Sequence, residues 1–163
     1  MGVSYAVWEE RAARLLMRID GMDEAQRRRS VGGSFNAVDT VEHLALVDEY
    51  YFPLIEKFDR VAWKDRPSKP RVFYKFAVNG MRKKRRLRMP TIREMTPSDA
   101  AMPWEAARKH FVVTQARMKS LLDDVPMEQV VMKHPIFGYL SKADLVTLWD
   151  AHLEYHLNRL PLD

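Results

Sequence analysis

The sequence predicts an all-α protein, a four-helix bundle with a long crossover between its second and third helices. Four segments place apolar residues at intervals of three and four, which is the spacing of one helix face. No segment shows the sustained alternation of apolar and polar residues that is typical of a half-buried strand. Residues 59–103 separate the second and third segments and form the crossover.

The first half of the chain is predicted to contain two bundle helices. The first spans residues 5–20, whose apolar side chains share one face. Residues 21–33 are polar and end in two glycines, which predicts a polar helix end or a loop. The second helix spans residues 37–58, with Asn36 placed to cap its free amides. Pro53 is expected to kink this helix or to unwind it locally.

The second half is predicted to contain the other two bundle helices. The crossover holds five prolines and is expected to carry one short helix around residues 72–77. The third bundle helix is predicted over residues 104–125, where apolar residues form a regular packing seam. The stretch VVMKHPIFGYL then forms an apolar connector that a proline and a glycine interrupt. Ser141 followed by Asp144 predicts a capping box that opens the last helix, residues 142–160.

Composition narrows the functional classes. A chain of 163 residues is expected to form one domain, residues 1–163, without needing disulfides. It contains no cysteine, so any metal ligands must be histidine, carboxylate or water. Neither a run of about 18 apolar residues nor a signal-peptide pattern occurs. We therefore expect a cytoplasmic protein without a membrane segment.

Two of the five histidines lie four residues apart in LWDAHLEYHLNRL, near the end of the sequence. On a helix, His152 and His156 share one face and are close enough to reach one metal ion. The spacing permits chelation without requiring it, and a polar stripe at the bundle edge is the alternative. His43 lies in the middle of the second helix, where a structural role needs a hydrogen-bond partner. Bundle cores commonly draw a third metal ligand from such a facing helix.

Two stretches carry a family resemblance. SFNAVDTVEHLALVDEYYF, followed later by HPIFGYLSKADLVTLWDAHLEYHLNRL, resembles the DinB/YfiT-like superfamily of four-helix bundles. The likeness is strongest over the second helix and the last 30 residues, and the middle matches only in layout. It implies a divalent metal, zinc or nickel, with His43, His152 and His156 as ligands and water in the remaining positions. Phe35 stands where better-known members have tryptophan, a change that leaves this ligand set intact.

The resemblance also implies an activity. Three neutral imidazoles leave the charge of a divalent ion uncompensated, so the ion can acidify bound water or bind a thiolate. A metal-dependent hydrolase and an S-transferase that uses a low-molecular-weight thiol, such as bacillithiol or mycothiol, both follow. A small-molecule substrate and a homodimer are expected by analogy with the family.

Four further residues are candidates near such a site. Asp39, one turn before His43, is either a proton-transfer group or a negative charge in the first helical turn. Arg159 is either a binding group for a substrate anion or a cation that suits a helix C-terminus. Tyr155 either lines a substrate pocket or faces solvent. His134 either lies at the mouth of the site or hydrogen-bonds the turn that it begins.

A basic segment supplies the rival hypothesis. The net charge is +5, and the crossover carries a concentrated cationic run: Arg82, Lys83, Lys84, Arg85, Arg86 and Arg88. Such a run can bind nucleic-acid phosphates without sequence preference, or it can be a solvated loop. No recognised nucleic-acid motif accompanies it, so we do not expect nucleic acid to be the main partner. The alternative to an enzyme is a non-catalytic helical bundle that uses this segment to bind nucleic acid.

Overall fold

The computed structural model describes residues 5–30, 35–70, 72–83, 92–98 and 102–160. Within these ranges the helices are α1 (Tyr5–Asp20), α2 (Glu24–Arg28), α3 (Ala37–Glu56), α4 (Val72–Arg82), α5 (Trp104–Leu122) and α6 (Lys142–Leu157). The strands are β1 (Lys69–Pro70), β2 (Val130–His134) and β3 (Gly138–Ser141), and Arg93–Met95 forms a 3₁₀ turn.

Helices α1, α3, α5 and α6 are the four predicted bundle helices, so the all-α prediction is confirmed. α1 packs against α6, and α3 packs against α5. The buried side chains between these helices are large and apolar, and the most fully buried include Trp8, Phe111, Leu15, Ile55 and Leu145. No described helix has the length and apolar character needed to cross a membrane.

The predicted caps start the two helices that carry the histidines. The Asn36 side chain accepts a hydrogen bond from the Asp39 backbone N–H, 2.9 Å away, at the start of α3. Ser141 accepts from the Asp144 backbone N–H at 3.1 Å, and Asp144 accepts from the Ser141 backbone N–H at 3.0 Å, which completes the capping box of α6. α3 stays helical through Pro53 up to Glu56, so the local unwinding that the proline suggested does not occur.

The bundle also carries a small sheet that the sequence did not predict, and the connector before α6 forms two of its strands. β2 and β3 pair antiparallel as a hairpin, and β1 from the crossover pairs with the other side of β3. Because four of the five side chains of β2 are buried, this strand lacks the alternation by which a half-buried strand is found in a sequence. Gly138, with φ of 84°, supplies the backbone conformation that brings the chain back into β3.

The crossover also contains more structure than predicted. Its helix α4 extends to Arg82 and packs on α6, and the 3₁₀ turn at Arg93–Met95 lies against α3. The polar segment before α3 includes the short helix α2, which Asp23 caps. The two glycines predicted to close that segment lie outside the described residues.

Candidate metal centre

The three candidate histidines converge at one point between α3 and α6. His43 comes from α3, while His152 and His156 occupy successive turns of α6. The Nε2 atom of His152 lies 3.4 Å from Nε2 of His43 and 3.0 Å from Nε2 of His156. All three ligand atoms lie within 4.8 Å of one another.

These separations suit a shared metal ion. A zinc-like ion holds imidazole nitrogens at ~2.0–2.1 Å, so two ligands at angles of ~90–110° are separated by roughly 2.9–3.4 Å. The two measured Nε2 separations, 3.0 and 3.4 Å, fall in that range. His43 and His156 are buried, with 5% and 7% of their surfaces exposed. The cluster is compatible with a metal site.

The hydrogen bond from His43 Nδ1 leaves Nε2 as the ring nitrogen with a free lone pair. Nδ1 of His43 lies 2.7 Å from the backbone carbonyl oxygen of Met95, in the 3₁₀ turn. A carbonyl oxygen can only accept, so Nδ1 carries the proton, and the neutral ring presents an Nε2 lone pair. Metal-binding histidines commonly have a carbonyl or carboxylate partner of this kind on the other ring nitrogen.

The surroundings keep the three imidazoles neutral. Burial lowers the pKa of His43, and burial together with the neighbouring His43 lowers the pKa of His152 to about 3. The pKa of His156 is also far below its usual value, because of burial and then the nearby histidines and Arg159. Neutral rings are the form that binds a metal, so the site does not need to lose protons first near pH ~7. The Phe35 ring covers His43, with the ring centres 5.2 Å apart.

A cavity of about 200 Å³ adjoins the histidine cluster. His43 and His152 form part of its wall, so whatever occupies the cavity lies beside the cluster. The other described wall residues are apolar or aromatic, or carry a neutral polar group: Val47, Tyr50, Tyr51, Met81, Ile92, Met95, His134, Pro135, Ile136, Phe137, Leu148 and Trp149. Among the described wall residues there is no lysine, arginine, aspartate or glutamate.

His134 joins the hairpin to α3 at the cavity wall. Its Nδ1 accepts hydrogen bonds from the backbone N–H groups of Ile136 and Phe137, at 3.0 and 3.1 Å. Its Nε2 lies 2.7 Å from the Tyr51 hydroxyl oxygen. His134 therefore hydrogen-bonds the turn that it begins and also lines the cavity. A role for His134 in substrate binding stays a prediction.

The other candidate residues lie elsewhere around the cluster. The Asp39 carboxylate accepts from the Asn36 side-chain amide at 2.6 Å, and burial raises its pKa. The Arg159 guanidinium carbon stacks 3.5 Å from the centre of the Tyr155 ring, which in turn lies 5.1 Å from the His156 ring centre. None of these three residues belongs to the described cavity wall, so their roles in catalysis and substrate binding stay predictions.

The basic segment is described only at its start. Arg82 donates a hydrogen bond to the buried carboxylate of Asp150 at 3.0 Å, and Lys83 is exposed. The remaining cations, Lys84, Arg85, Arg86 and Arg88, lie outside the described residues. Nucleic-acid binding by this segment stays a prediction.

Two groups at the centre were not identified from the sequence. In the sequence, Tyr51 is one of the apolar positions along one side of α3. Its hydroxyl contacts His134 only in the folded protein. The Met95 carbonyl is a backbone group, so no side-chain pattern in the sequence can signal it.

A protein-family model matches most of the chain. The family model described as DinB superfamily matches residues 8–160, a span that includes all three histidines, Tyr51 and His134. Neither the curated proteins nor the solved structures contain a match.

Proposed function

Because the chain belongs to the DinB superfamily, we propose that it is a metal-dependent enzyme whose three histidines hold one divalent ion, zinc or nickel. When bound, the ion supplies Lewis-acid chemistry that activates water or a low-molecular-weight thiol. His43, His152 and His156 are the ligands in this proposal. The convergence of their Nε2 atoms, within 4.8 Å of one another, is the observation that carries it.

Hydrolysis is the activity that the cavity supports best. The described wall has neutral polar groups and apolar side chains, with no charged group to hold an ionic carrier. A thiol carrier with ionic groups would have to bury them without partners, which is costly. Water needs no such binding site. Thiol transfer remains the second form of the proposal and is distinguished by the same assay.

The assay measures turnover of uncharged aryl esters and lactones by protein loaded with zinc or nickel. We expect hydrolysis that depends on the metal and is lost in His156→Ala. His110→Ala is the matched control, because His110 lies on α5 and pairs with Glu49, 2.9 Å away, outside the cluster. Product that forms only after a low-molecular-weight thiol is added would assign the transferase form. If the metal-loaded protein gives neither product, the proposed enzyme function is wrong.

The proposal includes the setting in which the enzyme works. Residues 1–163 act as one domain, the protein is cytoplasmic, and two chains form a homodimer. Light scattering after size exclusion tests the dimer, which should give twice the mass of one 19.1 kDa chain. A mass equal to that of one chain would contradict the proposed homodimer, and it would not bear on the proposed metal site.

A further inference from the structure

The hydrogen bond between Tyr51 and His134 determines the direction in which the Tyr51 hydroxyl hydrogen points. His134 Nδ1 accepts from two backbone N–H groups, those of Ile136 and Phe137, so it carries no proton. Burial lowers the pKa of His134 to about 4, which keeps the ring neutral near pH ~7. A neutral imidazole has a single N–H, and here it must be on Nε2.

The tautomer of His134 makes Tyr51 an acceptor in the bond that joins them. His134 Nε2–H donates to the Tyr51 oxygen across 2.7 Å. The phenolic hydrogen of Tyr51 then points away from His134, and the described residues offer it no acceptor within hydrogen-bond distance. Tyr51 lines the cavity and is 7% exposed, so a molecule in the cavity is the available acceptor.

The rest of the wall restricts the kind of molecule. Apolar side chains from α3, α6 and the hairpin, among them Val47, Leu148 and Phe137, surround the space. Since the described wall carries no ionic side chain, a charged ligand would lose its hydration without gaining a partner from it. An uncharged apolar molecule instead gains from burial in proportion to the area removed from water.

We propose that the cavity binds a small, uncharged, mostly apolar molecule with a carbonyl or similar oxygen, and that the Tyr51 hydroxyl donates a hydrogen bond to that oxygen. The proposal rests on the proposed function, because it places this molecule beside the three histidines as their substrate. The molecule contacts only side chains of the cavity wall in this proposal, so its binding can be measured with or without a metal ion. Tyr51 thereby holds the polar end of the substrate, while the apolar wall holds the remainder.

Three probes of similar size separate the parts of this proposal. Acetophenone has a phenyl ring and a carbonyl oxygen, and α-methylstyrene has the same shape with a methylene group in place of the oxygen. Benzoate keeps the ring and adds a negative charge. Titration calorimetry gives the affinity for each probe, and carbon-13 NMR of carbonyl-labelled acetophenone reports a hydrogen bond to its oxygen as a downfield shift.

The matched variants are Tyr51→Phe and Tyr74→Phe. Both remove one hydroxyl from a tyrosine with little exposed surface, but the Tyr74 hydroxyl donates to the Asp144 carbonyl at 2.7 Å and lies outside the described cavity wall. We expect Tyr51→Phe to weaken acetophenone binding about fivefold, the usual effect of one hydrogen bond, and to abolish the downfield shift. Binding of α-methylstyrene should be unchanged in both variants, and Tyr74→Phe should behave as wild type toward all probes.

The full chain is titrated as purified and again after dialysis against a chelator, and the metal content of each sample is measured. Benzoate should bind the chelated protein at least about tenfold more weakly than acetophenone. The proposal is overturned if wild type binds neither neutral probe, if benzoate binds the chelated protein more tightly than acetophenone does, or if Tyr51→Phe keeps the shift. We expect the downfield shift of acetophenone both before and after chelation. If the purified protein contained no metal, the proposed metal-dependent function would be contradicted. The shift would still decide whether Tyr51 donates a hydrogen bond to the probe.

Discussion

At the scale of single residues, the hydrogen bond between His43 and Met95 fixes which nitrogen of His43 is available. It holds the proton on Nδ1, so Nε2 faces His152 as a lone pair, 3.4 Å from the nitrogen of that ring. The same logic applies to His134, whose two backbone donors place its proton on Nε2. Both tautomers therefore depend on backbone groups near the histidines.

Asp48 offers a prediction about pH and stability. It is 2% exposed on α3 and accepts hydrogen bonds from Thr114 at 3.1 Å and from Gln115 at 2.5 Å, both on α5. Burial raises its pKa to about 7, against ~3.9 in an unfolded chain. Folded protein thus keeps a proton that unfolded protein loses, and the stability from protonated Asp48 disappears as pH rises from ~4 to ~7.

Asp48→Asn keeps an oxygen for the two donors and cannot ionise. Wild type should lose stability between pH ~5 and ~8 as Asp48 ionises, and the variant should not. The difference in free energy of unfolding, variant minus wild type, should therefore grow by more than about 1 kcal/mol over this pH range. Urea unfolding at several pH values measures this difference, in which the effects of the buried histidines cancel. Asp124→Asn, at an exposed position, controls for the lost charge. Parallel pH profiles for Asp48→Asn and wild type would contradict the account.

Residue-scale features of the site were predictable to different degrees. The four-residue spacing of His152 and His156 indicated a shared helix face, and the family resemblance pointed to His43. Tyr51 could not be singled out, because its importance comes from His134, 83 positions later, and from the cavity that both line. Contacts between distant segments leave no local periodic signal in the sequence.

At the scale of elements, the capping box of α6 starts the helix that carries His152 and His156. Ser141→Ala removes the side-chain acceptor for the Asp144 N–H, and we expect it to lower the free energy of unfolding by about 1 kcal/mol. Ser120→Ala is the control, because Ser120 is exposed on α5, and its effect should stay within about 0.5 kcal/mol. Chemical denaturation of both variants checks this, and equal stabilities would argue against the cap.

The hairpin provides a second test at this scale. Gly138 has φ of 84°, which an alanine adopts at a cost of about 1–2 kcal/mol, so Gly138→Ala should destabilise the fold by that amount. At Gly21 an added Cβ would meet Arg18 and Met17 carbonyl oxygens at ordinary distances of 3.6 and 3.8 Å. Gly21→Ala should change stability by less than about 0.5 kcal/mol in the same unfolding experiment. The glycine account fails if the two variants are equally stable.

The predicted elements are determined by residues close together in the sequence, whereas the missed elements depend on contacts between distant segments. The bundle helices and their caps follow from short-range patterns, such as Asn36 before α3 and Ser141 before Asp144. The hairpin was missed because β2 is buried almost throughout and resembles any apolar connector. β1 consists of Lys69 and Pro70 alone, so it has no pattern of its own and is defined by its pairing with β3.

At the scale of the whole molecule, a bound ion would connect two halves of the chain. His43 and His152 are 109 positions apart, so the three histidines come together only in the folded protein. An ion that binds the folded state alone stabilises it by mass action, about 2.7 kcal/mol at ~100 times the dissociation constant. We therefore expect zinc or nickel to raise the melting temperature of wild type by several degrees. His43→Ala should lose this response, and a shift of equal size in that variant would place the ion elsewhere.

The central claim is that one divalent ion binds at His43, His152 and His156. The most direct measurement is the metal content of untagged protein, determined by mass spectrometry of the dissolved metal after equilibration with zinc or nickel and gel filtration. We predict one ion per chain in wild type and in His110→Ala, and a loss of nearly all bound metal in His152→Ala. Wild-type protein that retains no ion, or His152→Ala protein that retains as much as wild type, would contradict the claim.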